Sequence, residues 1–379
     1  MLPLVHVLIA PDSFKGSLDA DRAAEAIADG LRRTRPDAEV VLRPVADGGE
    51  GTVAAALRAG YQARTARVTG PDGRPVDAVF ALDGTTAVLE LASAAGLGQL
   101  AEPAPLTATT YGVGKLVRAA LDAGARRIVL GAGGSATTDG GAGLLQALGV
   151  RLLDADGGDV PRGGAGLARL DRIDMGSRDP RLQEVELVVG VDVDNPLTGP
   201  EGAAAVFGPQ KGATPEDVAV LDAALGRFAA VVHRDLGVDL LGWPAMGAAG
   251  GTAGGLAATI ARGVGSGARY VCDLVGLDDA LAGAALVVTG EGSLDEQTLR
   301  GKAPAEVVAR ASAAGVPCLG LAGVVRLSPE RLRAAGFVAG HGLTEVEPDV
   351  ARCIAEAPRV LAELAGRVIT AHLPPGAPR

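Results

Sequence analysis

Short apolar runs that end in a turn of glycine with an acidic residue, and then pass into a helical pattern, recur along this 379-residue chain. Residues 4–10 are apolar and end in A-P-D-S-F-K-G-S, ahead of a helical pattern over residues 18–33 with Ser17 or Asp19 as its cap. Residues 39–45 repeat the arrangement, ending in A-D-G-G-E-G-T before a short helix to residue 59. Residues 127–130 run into G-A-G-G-S-A-T-T-D-G-G-A-G-L, and residues 284–289 into G-E-G-S-L-D-E-Q-T-L-R-G-K-A-P. A parallel strand buried on both faces reads as a continuous apolar run. Ligands of open parallel sheets lie beyond the carboxyl ends of such strands. The pattern therefore predicts an α/β fold whose chemistry sits on strand-end loops. Asp47 and Glu50 are either ligand contacts there or partners of a helix dipole.

Residues 64–92 have a different texture. Three β-like runs are separated by Pro71-Asp72-Gly73 and by Asp83-Gly84, which are hairpin turns. An antiparallel meander does not extend a parallel βαβ sheet, so a boundary is expected near Gln62. The βαβ texture resumes at about residue 284 and continues through strands at residues 317–322 and 337–339. The simplest architecture is a discontinuous parallel-sheet domain from residues 1–62 and 284–379, with an inserted mixed α/β domain at 63–283 and the site in a cleft between them. Within the insert, Thr214-Pro215-Glu216-Asp217 is a helix start, and His233 on that helix reads as structural. The glycines of residues 247–255 serve either close packing or ligand contact.

A net charge of -10 argues against nucleic acid as a partner, so an anionic substrate needs a local basic site. Cys272, Cys318 and Cys353 lie far apart and outside metal-ligand spacing, which reads as a reduced, cytoplasmic chain. Residues 1–10 lack the basic start of a signal peptide, and the uncharged residues 243–261 are glycine- and alanine-rich, a loop composition rather than a membrane span. Pro374 to Arg379 form the one short biased tail. Lysine occurs only at Lys15, Lys115, Lys211 and Lys302, among 35 basic residues, and each abuts a glycine. A compact ammonium beside bare backbone reaches a phosphate or carboxylate well. With 56 glycines, adjacency also arises by chance.

Two loops carry the most chemistry. Residues 191–212 follow an apolar run and read V-D-V-D-N-P-L-T-G-P-E-G-A-A-A-V-F-G-P-Q-K-G. If the strand continues, Asp192 and Asp194 point to one side, as a carboxylate pair for a metal-bound phosphoryl group or as an acidic surface turn. Residues 131–143 offer backbone donors, the hydroxyls of Ser135, Thr137 and Thr138, and Asp139, which suits a phosphate cradle. The same residues satisfy a loose G-x-G-x-x-A dinucleotide fingerprint, with Asp154 placed for a ribose. A nicotinamide-dependent oxidoreductase is thus the competing class. The T-T-D insertion argues against it, because it delays the helix and sets a carboxylate where pyrophosphate would approach. No Walker A, kinase catalytic loop or G-x-S-x-G elbow is present. Acid-and-glycine turns with isolated lysines are the inventory of phosphoryl transfer.

The runs A-P-D-S-F-K-G-S-L, A-D-G-G-E-G-T, G-G-S-A-T-T-D-G-G-A-G, D-V-D-N-P-L, F-G-P-Q-K-G-A and T-G-E-G-S-L-D occur in order between residues 10 and 304. Together they resemble the type 1 glycerate kinase family. The resemblance implies a Rossmann-like domain with a second α/β domain, and ATP-dependent, Mg2+-assisted phosphorylation of D-glycerate, usually at the 2-hydroxyl. On chemical grounds Asp192 or Asp194 is the base and the other a metal ligand, with Glu291 and Asp295 as further metal or ribose contacts. Lys15 and Lys211 are candidates for phosphate and substrate charge, joined by Ser13, Lys302 and the anion loop of Gly133, Gly134, Ser135, Thr137 and Thr138. A glycerate 3-kinase and a non-catalytic nucleotide sensor are the remaining alternatives.

Overall fold

The computed structural model describes residues 5–373. Met1 to Leu4, read above for a signal peptide and a strand start, and the tail from Pro374 lie outside the described residues. In chain order the strands are β1 (Val5–Ile9), β2 (Ala38–Leu42), β3 (Gln62–Thr69), β4 (Pro75–Asp83), β5 (Thr86–Glu90), β6 (Arg127–Gly131) and β7 (Arg151–Leu153). They continue with β8 (Arg172–Asp174), β9 (Glu186–Val191), β10 (Gly263–Ser266), β11 (Leu286–Leu294), β12 (Cys318–Val325) and β13 (Phe337–Gly342). The chain divides into two units, Met1–Asp47 with Ala268–Arg379, and Gly48–Gly267.

The first unit is a Rossmann-like five-stranded sheet in the order β13-β12-β11-β1-β2, parallel throughout. From β1 the chain steps outward to β2, and from β11 outward to β12 and β13, so the topological switch point lies between β1 and β11. Val7 stands opposite Leu286 and Ile9 opposite Val288 across that seam. The helix Ala20–Thr34 is capped by Asp19, whose carboxylate accepts from the Arg22 N–H, and it buries Ala23, Ala24, Ile27 and Leu31. Burying each such Leu or Ile contributes roughly 1.5–3 kcal/mol. This helix packs on Ala357–Val368 so closely that a Cβ at Gly30 would strike the Ala362 carbonyl. Two helices distant in sequence are thereby locked over the sheet that both chain ends build.

The second unit holds a six-stranded mixed sheet in the order β10-β9-β6-β5-β4-β3, with a small β7-β8 hairpin beside it. The β3-β4-β5 meander is antiparallel as expected, but β5 then pairs in parallel with β6. The meander thus does extend a parallel sheet. The short helix Thr52–Arg58 also groups with this unit, because the Glu90 carboxylate at the end of β5 accepts from the N–H groups of Gly51 (3.0 Å) and Val53 (2.7 Å). These contacts set the first boundary at Asp47 rather than Gln62, and the second falls at Gly267 rather than 283. Helix Pro215–Leu236 opens with a reciprocal Thr214–Asp217 capping box and buries Leu225, Phe228 and Val232. No helix among the described residues is long and apolar enough to cross a membrane.

Candidate active site

In the second unit the loop after β6 is fixed from within. Asp139 is fully buried and accepts from the Thr110 N–H (2.9 Å) and hydroxyl (2.9 Å), and from the N–H groups of Gly141 (3.1 Å) and Gly143 (3.2 Å). Burial raises its pKa, and the donors from Thr110, Gly143 and Gly141 offset part of that cost. The cradle expected at residues 133–138 is partly filled by the protein itself. Gly133 N–H meets the Gly48 carbonyl (3.4 Å), Ala136 N–H the Ala95 carbonyl (2.8 Å) and Thr137 N–H the Ser135 hydroxyl (3.1 Å). Gly134 is exposed at φ 71, a conformation that favours glycine, and the buried Thr138 hydroxyl has no hydrogen-bond partner.

Lys211 joins this loop. It ends the short turn Pro209–Lys211, is 3% exposed, and donates to the Thr137 carbonyl (2.5 Å) and the Ser135 hydroxyl (3.4 Å). Among the described residues no carboxylate lies within ion-pair reach of it. Burial lowers its pKa to about 8, with the more distant Asp139 charge opposing. The structure thus brings Lys211, Ser135 and Thr137 together. The neighbouring glycines serve packing. A Cβ at Gly250 would strike the Thr137 carbonyl, one at Gly255 the Gly140 carbonyl, and one at Gly247 the Pro196 carbonyl.

Strand β9 ends at Val191, so the same-side argument for Asp192 and Asp194 lapses. Asp192 is half-buried just beyond the strand end and Asp194 is exposed. Their turn is tied to the following segment, with the Ala245 N–H donating to the Asp194 carbonyl and the Gly247 N–H to the Asn195 carbonyl, both at 3.0 Å. That segment holds Ala245 at φ 66 and Ala249 at φ 53. Non-glycine residues there store backbone strain, which surrounding structure must enforce.

In the first unit the groups gather at the carboxyl edge around the switch point. Strand β11 runs on to Leu294, which puts Glu291 on the strand rather than in the following loop. Glu291 accepts from the Thr298 hydroxyl (2.7 Å) and from Lys302 Nζ (3.0 Å), one on each oxygen. Burial raises its pKa against the pull of Lys302. Burial also works against the Lys302 charge, but Glu291 outweighs it and holds the ammonium above its ordinary value. Asp295 is likewise engaged, by the Ser293 hydroxyl (3.0 Å) and the Gln297 N–H (2.9 Å). Ser13 is half-buried and Lys15 exposed.

Sequence reasoning passed over Asp12. It is 6% exposed, and its pKa is pushed well up by burial and then by Asp47. The rule applied to Asp192, an acid at a strand end before a glycine turn, would have found it. Hard divalent cations take oxygen ligands, and a buried carboxylate short of donors fits one. Among the described residues no three His, Cys, Asp or Glu side chains cage a metal unaided. Mg2+ commonly needs only one or two carboxylates, with water and phosphate completing its shell. Lys115 and Arg162 lie over the Tyr111 ring, at 5.4 and 3.4 Å from its centroid.

The dinucleotide reading loses its geometry here. The helix after the glycine loop begins only at Ala142, and Asp154 caps its own turn through Gly158 N–H (2.9 Å) and pairs with Arg169 (2.9 Å). A family model described as the glycerate kinase family matches residues 7–373. The chain belongs to the glycerate kinase family. It is 47% identical to a Bacillus subtilis (strain 168) protein named glycerate kinase, over 89% of this chain and 88% of that one. An Escherichia coli (strain K12) protein named glycerate 2-kinase is 45% identical over 90% of each chain. A Salmonella typhimurium LT2 crystal structure assigned as a glycerate kinase 2 superposes with a TM-score of 0.81 at 43% identity, covering 97% of this chain and 98% of that one. As a glycerate kinase family member, the protein is a phosphotransferase that acts on an alcohol acceptor.

The buried ammonium gives a signed pH dependence. With Lys211 at about 8 in the fold against an ordinary value of 10.5, the unfolded chain binds more protons between those values. Stability contributed by this site therefore rises from pH 8 to pH 10.5, by on the order of 3 kcal/mol. Urea denaturation on both sides of that window is expected to show the rise in wild type and to lack it in Lys211→Met. An unchanged pH profile in Lys211→Met would assign the titration elsewhere.

Proposed function

We propose that the protein transfers the γ-phosphoryl group of ATP to the 2-hydroxyl of D-glycerate, giving 2-phosphoglycerate and ADP. The observation that carries the reading is Lys211, a buried ammonium with only a carbonyl and a hydroxyl as partners, set in the glycine loop of a glycerate kinase family member. A fold that buries a cation without a counter-ion holds it ready for an anion. On this reading Lys211 with Ser135, Thr137, Thr138, Gly133 and Gly134 receives the anionic groups of the reactants. Lys15, with Ser13, and Lys302 offer further positive or donor groups at the switch-point edge of the first unit.

The half-buried Asp192 takes the hydroxyl proton as the acceptor oxygen attacks the γ-phosphorus. The new O–P bond forms as the bond to the β-γ bridging oxygen breaks, and ADP carries away that electron pair. Asp194, the other member of the pair, faces water. Glu291 and Asp295 hold Lys302 and their own turn, since both oxygens of each already accept hydrogen bonds. When bound, Mg2+ neutralises phosphate charge. The three free, buried cysteines support a cytoplasmic setting.

The choice of hydroxyl follows from rotors. The 2-hydroxyl sits beside the carboxylate, so a cationic clamp on that carboxylate aims it, whereas the 3-hydroxyl has one more rotatable bond. Phosphorus NMR of the product is expected to show 2-phosphoglycerate, and a 3-phosphoglycerate signal would reverse the assignment. Asp192→Asn is expected to lose about 10²-fold or more in kcat while melting near wild type. Near-normal turnover would remove Asp192 from the reaction.

A further inference from the structure

The parallel sheet of the first unit brings acidic residues to the ends of three neighbouring strands. Asp12 follows β1, and its N–H donates to the Gly290 carbonyl of β11 (2.8 Å). On the other side the Val45 N–H, beyond β2, donates to the Pro11 carbonyl (2.9 Å), which brings the Asp47 turn alongside. Glu291 is the next residue along β11. These carboxylates thus come from three neighbouring strands around the switch point, where open α/β sheets bind ligands.

They are not equivalent. Glu291 has both oxygens occupied, by Thr298 and Lys302. Lys302 supplies one positive charge, already paired with Glu291 at 3.0 Å. Asp12 is 6% exposed, yet it receives one hydrogen bond, from the Ser13 N–H to Oδ1 (2.6 Å). Its Oδ2 meets no protein donor among the described residues. An ionised carboxylate removed from water needs more than that, beside a second acid and a third whose countercharge is spent. Lys15 is exposed.

We propose that Asp12, with Asp47 beside it, is a divalent-cation site. Oδ2 of Asp12 is the protein ligand that the fold leaves open, and the Glu291–Lys302–Thr298 group positions the neighbouring wall. Two carboxylates, with water and phosphate oxygens filling the rest of the shell, suit Mg2+ or Mn2+. The inference deepens the phosphoryl-transfer reading and rests on it for the identity of the phosphate. It makes Asp12, rather than Asp194, the residue on which cation affinity depends.

Mn2+ titration of the full-length protein, followed by electron paramagnetic resonance without nucleotide or glycerate, tests it. Wild type is expected to bind one Mn2+ per chain, Asp12→Asn to bind it at least about tenfold more weakly, and Asp194→Asn to match wild type. Thermal melting is the second readout. Mg2+ is expected to raise the melting temperature of wild type but not of Asp12→Asn or Asp47→Asn. In metal-free buffer Asp12→Asn is expected to melt no lower than wild type, because it removes a buried like charge. No bound Mn2+ at millimolar concentration in wild type, or wild-type affinity in Asp12→Asn, overturns the site. Phosphorylation of glycerate, assayed in parallel, reports on the reaction separately. A working kinase with an unaltered Asp12→Asn titration refutes the cation site alone. A chain that binds Mn2+ through Asp12 but never phosphorylates glycerate refutes the reaction alone.

Discussion

The site of the second unit depends on one buried carboxylate. Asp139 satisfies the N–H groups of Gly141 and Gly143 from inside the loop and ties that loop to Thr110. Removing one partner of such a network leaves charge or donors unpaired, at about 1–3 kcal/mol for each group. With the loop so held, the Thr137 carbonyl and the Ser135 hydroxyl face Lys211, and the bare backbone at Gly250 lets the next segment close over Thr137. Fixing the loop with its own carboxylate frees Lys211 from acting as that carboxylate's counter-ion. Its charge stays uncompensated, which is the property a phosphoryl or carboxylate ligand uses.

The first unit solves the reverse problem at its switch point. It gathers acids rather than a cation, and neutralises one of them with Lys302. What decides the chemistry is the residual charge after protein partners are counted. Glu291 and Asp295 are saturated, whereas Asp12 has one donor, from its own neighbour. A sheet whose strands run outward from β1 and β11 in opposite directions leaves room at the edge where these residues lie.

Local signals in the sequence were legible where they act locally. The hairpin turns at Pro71-Asp72-Gly73 and Asp83-Gly84 and the Thr214-Pro215 helix start each depend on a few adjacent residues and are found as read. The boundary near Gln62 failed because Glu90 reaches back to a helix that precedes the meander, a contact no local pattern encodes. The Asp192–Asp194 alternation failed because β9 stops at Val191, one residue before the pair. Asp139 looked like a ligand group by composition, but its partners at Thr109 and Thr110 are distant in sequence. Asp12 carried the right signal within A-P-D-S-F-K-G-S, and its importance emerges only from the two strands beside it.

The central claim is that the chain is a working kinase for which glycerate is the acceptor. ADP release from ATP and Mg2+, followed continuously by a coupled assay with and without D-glycerate, tests it most directly. The account predicts ADP formation that requires glycerate and saturates with it. ATP binding without glycerate-dependent ADP release, as in a nucleotide sensor, would contradict it.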